Sequence, residues 1–236
     1  MLKLFAAPPA WGLPNILPAT LKLQTWLKMA GIEHELAPPD IPRAPKGKLP
    51  FVELDGGEVM GDSTLIVERL SRERGIDTDR GLSVEQKAVS HAFRRMAKEH
   101  LYWVLIFDRW VVDANFEVYR RTLVELFAKG APPEQQEAFV TGYRGVMTGQ
   151  ATAQGMGRHS AEEVHRLGMG DMQAVSDYLG DKPFFMGNEP TTVDATLYAY
   201  LANILCVPIE SKVRDHGRSL GNLVRYCERV QGLYFG

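Results

Sequence analysis

The chain has 236 residues, with 27 Lys and Arg against 29 Asp and Glu, and 45% of it is hydrophobic. That length allows one large domain or two small ones with a real core. The near-neutral balance, without a charge block, offers nothing for nucleic acid or an anionic membrane surface to hold.

Leu2 to Ala6 is short and apolar and reads as a first strand. A proline-rich loop from Pro8 to Pro18 follows, with Trp11, Gly12 and Asn15 inside it. Leu23, Trp26, Leu27 and Ala30 then recur at helical spacing, and Gly31 stops that helix. Glu33 to Ala37 reads as a second strand, and Pro38 to Lys48 as a loop. Phe51 to Leu54 and Glu58 to Met60 form strands around an Asp55-Gly56-Gly57 turn, because Asp and Gly tolerate the positive φ of tight hairpins. Gly61 is expected to break the second of these strands, and Asp62-Ser63 opens a helix as a capping pair. This order of strands and helices predicts a small α/β domain over residues 1–76.

Ile76 to Leu82 is the linker candidate, and residues 83–236 read as an all-helical domain. Ser83 to Gln86 and Ser160 to Glu163 are capping boxes. The helix opened by Ser83 carries Tyr102, Trp103, Phe107 and Trp110. Phe116, Tyr119, Leu123, Leu126 and Phe127 form another helical face, which Gly130 to Pro133 ends. Thr191 is an N-cap with Asp194 at its third position, ahead of the stripe Val193, Leu197, Leu201, Ile204 and Leu205. Leu220, Leu223, Val224 and Cys227 mark a last helix.

Cys206 and Cys227 give neither a disulfide framework nor a C-x-x-C pair, and both read as core thiols. The six histidines show no metal-ligand spacing, and no glycine-rich nucleotide loop follows a strand, so neither metal nor nucleotide is expected. The longest apolar run, Leu101 to Phe107, cannot span a bilayer, and the N-terminus lacks the pattern of a secretory leader. A cytoplasmic protein is the expectation.

Lys46 to Leu70 is the segment with chemistry to offer. By themselves Leu49-Pro50 opens a strand and Asp62-Ser63 caps a helix. The unit nevertheless resembles the second half of the thioredoxin-like domain of glutathione transferases. In that family the residue before a cis-proline offers its backbone to the thiol peptide, and an acidic-Ser pair grips the γ-glutamyl end. The resemblance places Leu49, Pro50, Asp62 and Ser63 in those roles. An exposed backbone edge pairs with an extended peptide as an added strand does, and a helix N-terminus favours a carboxylate.

Over nearly the whole chain the sequence is similar to the failed-axon-connections and metaxin-like branch of the glutathione transferase superfamily. Gly12 to Asn15, Leu21 to Gly31, Lys46 to Phe51, Asp62-Ser63, Leu101 to Trp103 and Arg109-Trp110 carry that similarity. It implies a thioredoxin-like domain followed by an all-helical C-terminal domain. It also implies conjugation of reduced glutathione, as co-substrate, to a small electrophile in a detoxification role, with no further cofactor and with a possible homodimer. A non-catalytic binding protein of the same fold is the alternative. The branch often has Ser-Pro-Phe-Cys before the first helix, where this chain has Leu17-Pro18-Ala19-Thr20, so a cysteine mechanism is not expected. Thr20, as hydroxyl donor or mere helix cap, and Asn15, as amide donor or turn residue, are the candidates for activating the thiol. Tyr102, Trp103 and Trp110 would line the second-substrate site between the domains, unless they are core.

Overall fold

The structure, a computed structural model, describes residues 1–236. Strands β1 (Leu2–Phe5), β2 (His34–Ala37), β3 (Phe51–Glu53) and β4 (Val59–Gly61) form one sheet in the order β2-β1-β3-β4. β1 runs parallel to β2 and antiparallel to β3, with Phe5 opposite Phe51; β3 and β4 are antiparallel, with Phe51 opposite Gly61. Gly61 therefore pairs within β4 rather than breaking it. The parallel β1–β2 pair needs a crossover, and helix α1 (Pro18–Met29) supplies it. Helix α2 (Ser63–Arg74) follows β4.

The alternation of α1 predicts one apolar face. The structure instead buries every residue from Pro18 to Leu27 except Ala19. Leu23, Trp26 and Leu27 face the sheet core with Leu2, Leu4 and Val52. Leu21 joins Leu13 and Ile16 in the core of the helical half. The second covering layer is α8 (Thr192–Leu205), against which α1 packs more extensively than any other two elements pack.

The helical half begins with α3 (Val84–Met96), capped by the reciprocal Ser83–Gln86 bonds. It runs on as one long helix through a π-helical turn (Ala97–Leu101), α4 (Tyr102–Ile106) and a second π turn (Phe107–Val111). Then come α5 (Asp113–Phe127), α6 (Pro133–Gln154) and α7 (Ala161–Leu179), the last capped by Ser160 and Glu163. After α8 the chain forms α9 (Lys212–Ser219) and α10 (Gly221–Phe235). The stripe read in α8 covers only part of its buried surface: all fourteen of its residues are buried. Cys227 is a buried thiol, but Cys206 stands exposed at the end of α8, which corrects the reading of it as a core residue.

Asp194 organises the entry to α8. Its carboxylate accepts from the Phe185 N–H (2.8 Å), the Thr191 N–H (2.8 Å), the Thr191 hydroxyl (2.9 Å) and the Tyr226 hydroxyl (2.9 Å). The segment between α2 and α3 is pinned to the same place. The Thr78 hydroxyl lies 2.6 Å from that of Thr192, and the Thr192 N–H donates to Asp79 at 2.8 Å.

Candidate functional site

The peptide bond between Leu49 and Pro50 is cis. Leu49 lies outside the strands, and neither its N–H nor its C=O forms a hydrogen bond within the protein. A backbone donor and acceptor at the head of β3 are thus left for an extended ligand.

Asp62 follows β4 directly. It holds φ at 80°, one of only two residues other than glycine in the left-handed region. Such a conformation costs a non-glycine residue about 1–3 kcal/mol and persists only where the surroundings enforce it. Here the enforcement is visible: Oδ1 accepts the Thr64 N–H (2.8 Å) and the Leu65 N–H (3.3 Å), which caps α2. Two of the helix's first amides are therefore already taken. That of Ser63, the first helical residue, has no intrahelical acceptor. The other carboxylate oxygen of Asp62 lies 3.7 Å from Lys98 Nζ. Burial alone would raise the Asp62 carboxyl, but the Thr64 N–H, Lys98 and the Leu65 N–H outweigh it and hold it below the usual carboxylate range.

Lys22, on the second turn of α1, reaches the same spot. It is 6% exposed, and its Nζ donates to Thr64 Oγ1 at 2.8 Å and to Ser63 Oγ at 3.4 Å. Burial first, then the charges of Lys98 and Arg94, push its ammonium down to about 7. Sequence reasoning missed both Lys22 and Lys98. A lysine between apolar positions reads as part of a solvated face, and only the covering of α1 by α2 and the long helix encloses it.

Thr20 sits in the first turn of α1, fully buried, and its hydroxyl has no partner. It is not the helix cap, since the N-cap position is Leu17 and makes no side-chain bond. Asn15 is also fully buried. Its amide donates to the Ala7 carbonyl (2.8 Å) and accepts the Leu17 N–H (2.9 Å), which shapes the loop leading into α1. That loop is tied to the helical half by Arg109. The guanidinium donates to the Ile16 carbonyl (2.7 Å) and to the carbonyl (2.7 Å) and side-chain oxygen (2.9 Å) of Asn203, beneath the rings of Trp11 and Tyr119. Each π turn thus aims one cation at the N-terminal half: Lys98 at Asp62 and Arg109 at Ile16. The wider π turn displaces side chains from the 3.6-residue pattern, so helical periodicity gives no sign of either.

The three aromatic candidates separate. Tyr102 and Trp103 are half-buried and meet edge to face, and Tyr102 also meets Tyr200. Trp110 is 2% exposed and lies inside the helical core against Phe116, Tyr119 and Tyr143. The structure therefore brings Asp62, Ser63, Lys22 and Lys98 together at the seam of the two halves, sets Leu49 at the head of β3, where Phe51 pairs with Gly61 just ahead of Asp62, and leaves Trp110 inside the helical core. A groove between the β2 edge and the end of α10 contains none of these residues.

A four-stranded mixed sheet with a cis-proline at the head of β3, joined to an all-helical domain, defines the glutathione transferase fold. The Glutathione S-transferase N-terminal domain family matches residues 18–115, and the Glutathione S-transferase, C-terminal domain family matches residues 168–230. The chain is 35% identical to an isoprene-epoxide--glutathione S-transferase of Rhodococcus sp. over 99% of both chains. It is 34% identical to failed axon connections of Drosophila melanogaster, over 94% of this chain and 55% of that one. It is 29% identical to human metaxin-1, over 99% of this chain and 51% of that one. A glutathione transferase from Phanerochaete chrysosporium superposes with a TM-score of 0.65 at 17% identity, covering 100% of this chain and 98% of that one. The chain belongs to the glutathione S-transferase superfamily, and its relatives include the failed-axon-connections and metaxin branch.

Proposed function

We propose that the protein binds reduced glutathione at the seam between its halves and joins it, through its sulfur, to a small electrophile. The observation that carries this reading is the unpaired main chain of Leu49 beside the Asp62–Ser63 turn. The cysteinyl part of the tripeptide pairs with Leu49 as an added strand. Its γ-glutamyl end meets Ser63 and the carboxylate oxygen of Asp62 that faces Lys98. The near full-length likeness to a glutathione transferase named for an epoxide substrate supports the same reading and puts epoxides among the electrophiles to try.

Transfer requires the thiolate. A free thiol has a pKa of about 8.5, and lowering it by two units takes about 2.7 kcal/mol of preferential stabilisation. One hydrogen bond to a charged group supplies about 1.5–3 kcal/mol, and the N-terminus of α1 adds up to about 1 kcal/mol. The Thr20 hydroxyl in the first turn of α1, unpartnered but shut off from solvent until the loop before the helix shifts, is the donor this reading assigns. The thiolate sulfur forms a bond to the electrophilic carbon. With an epoxide, the C–O bond breaks and the resulting alkoxide takes a proton from water. A cytoplasmic location is part of the proposal, in keeping with two free cysteines. No helix is long and apolar enough to cross a membrane.

Calorimetric titration with reduced glutathione at neutral pH tests the site. Asp62→Asn combined with Ser63→Ala keeps the Oδ1 cap and removes the grip. Binding by the wild type that this variant loses, followed by conjugation of a chloronitrobenzene or an epoxide, is the expected result. A folded protein that binds no glutathione refutes the reading. Binding without turnover of any electrophile favours a non-catalytic role, which the kinship to metaxin-1 and the commitment of the Asn15 amide to Ala7 support.

A further inference from the structure

We infer that Lys22, flanked by Lys98 and Arg94, is the residue that takes the α-carboxylate of the γ-glutamyl group at the start of α2. The inference rests on the reading of this site as a glutathione site and adds a cation cradle to it. Lys22 is 6% exposed, yet no carboxylate lies within ion-pairing distance of its Nζ, which leans on two hydroxyls, those of Ser63 and Thr64. A buried charge is normally paired, and a hydroxyl does not neutralise one.

The charges facing Lys22 make the imbalance plain. From the long helix come Lys98 and Arg94, and from α2 come Asp62 and Glu68. Glu68 is exposed to solvent, and Asp62 already shares one oxygen with Lys98 and the other with two amides. Arg94 keeps a buried Nε without a partner. Lys22 and Lys98 therefore meet beside Ser63, whose N–H has no helical acceptor, with the charge of Arg94 also felt at Lys22, and the missing anion is the ligand's. Lys98, about a third exposed, and Asp62 form the rim through which it enters. A carboxylate on Ser63 Oγ is then also within reach of Lys22 Nζ, 3.4 Å from that oxygen. The Asp62 oxygen that faces the rim is left to the ligand's ammonium group.

Two features of binding follow. A carboxylate beside Lys22 restores its proton, so binding near pH 7.5 takes up a fraction of a proton. An S-alkylated ligand has no thiol to titrate, which leaves this uptake readable. The experiment is calorimetry with S-methylglutathione, and with its analogue carrying 4-aminobutanoyl in place of the γ-glutamyl group, which lacks only the α-carboxylate. Both are titrated into wild type and Lys22→Met in buffers of different ionisation enthalpy. The variant should lose about 10- to 100-fold in affinity for S-methylglutathione. It should also lose the proton uptake, and bind the decarboxylated analogue as the wild type does.

Equal losses for both ligands, or unchanged affinity and proton uptake, overturn the assignment of Lys22 while glutathione binding by the wild type stands. Thermal unfolding guards the result, because removing an uncompensated buried charge should not lower the stability of the fold. A wild type that binds neither S-methylglutathione nor reduced glutathione overturns the underlying reading, and this inference with it.

Discussion

Replacing Asp194 by Ala should unfold the protein at a much lower temperature, and the size of the effect follows from its four donors. Asp194 is fully buried and accepts two main-chain N–H groups and two hydroxyls, which join the Phe185 turn, the start of α8 and α10. Hydrogen bonds to a charged group contribute about 1.5–3 kcal/mol each. They do not add, and the variant is relieved of burying a carboxylate, a cost visible in burial raising the Asp194 carboxyl above its usual range. The donors left behind dominate, so the net loss is about 4 kcal/mol, in line with breaking a buried charged network. For a chain of this length each kcal/mol moves Tm by about 2–4 °C, so the midpoint should fall by about 8–16 °C. Asp194→Asn should lose less: its amide oxygen still accepts from Phe185 and Tyr226, but its NH2 group faces the Thr191 donors. Scanning calorimetry at pH 7 measures both. An Ala variant within 3 °C of wild type (below about 1.5 kcal/mol) would show that this network does not hold α8 in place.

Two further outcomes are expected. Thr20→Val keeps the shape of the side chain and removes a buried hydroxyl that has no partner. Orphaned polar groups cost about 1–3 kcal/mol, so stability should hold or rise while kcat for conjugation falls about tenfold or more at unchanged glutathione affinity; an unchanged kcat removes Thr20 from the reaction. Lys22 titrates near 7 in the fold against an ordinary value of 10.5, because burial, Lys98 and Arg94 disfavour its charge. Between those values the unfolded chain binds the extra proton, so this group makes stability rise with pH by up to about 1.4 kcal/mol per unit. The deficit is fully present below pH 7 and gone near pH 10.5. Urea unfolding of wild type and Lys22→Met at pH 6, 8 and 9.5 should show a gap that drifts steadily across that window, and a constant gap would refute the burial of a charged Lys22.

Much of the molecule was legible in the chain. The four strands, the caps at Ser83, Ser160 and Asp62, and the Thr191–Asp194 turn follow from local chemistry: turn residues that accept positive φ, and short polar side chains that satisfy the first amides of a helix. Helix α9 was not legible. Its eight residues bury only Val213 and Gly217, too few to set a period. Nor were the π turns, whose departure from 3.6 residues per turn leaves no signature in a hydrophobic pattern.

The site divides along the same line. Leu49-Pro50 and Asp62-Ser63 are short-range motifs, visible because each needs only its neighbours in the chain. Lys22, Lys98 and Arg94 meet only after α1, α2 and the long helix have packed. The sequence alone determined most of the helices and strands and the local motifs at Leu49-Pro50 and Asp62-Ser63. Tertiary structure decided which polar residues on those segments lose their water. A charge acquires its chemistry from what surrounds it, and burial by a second helix is a property of packing, not of the segment that carries the charge.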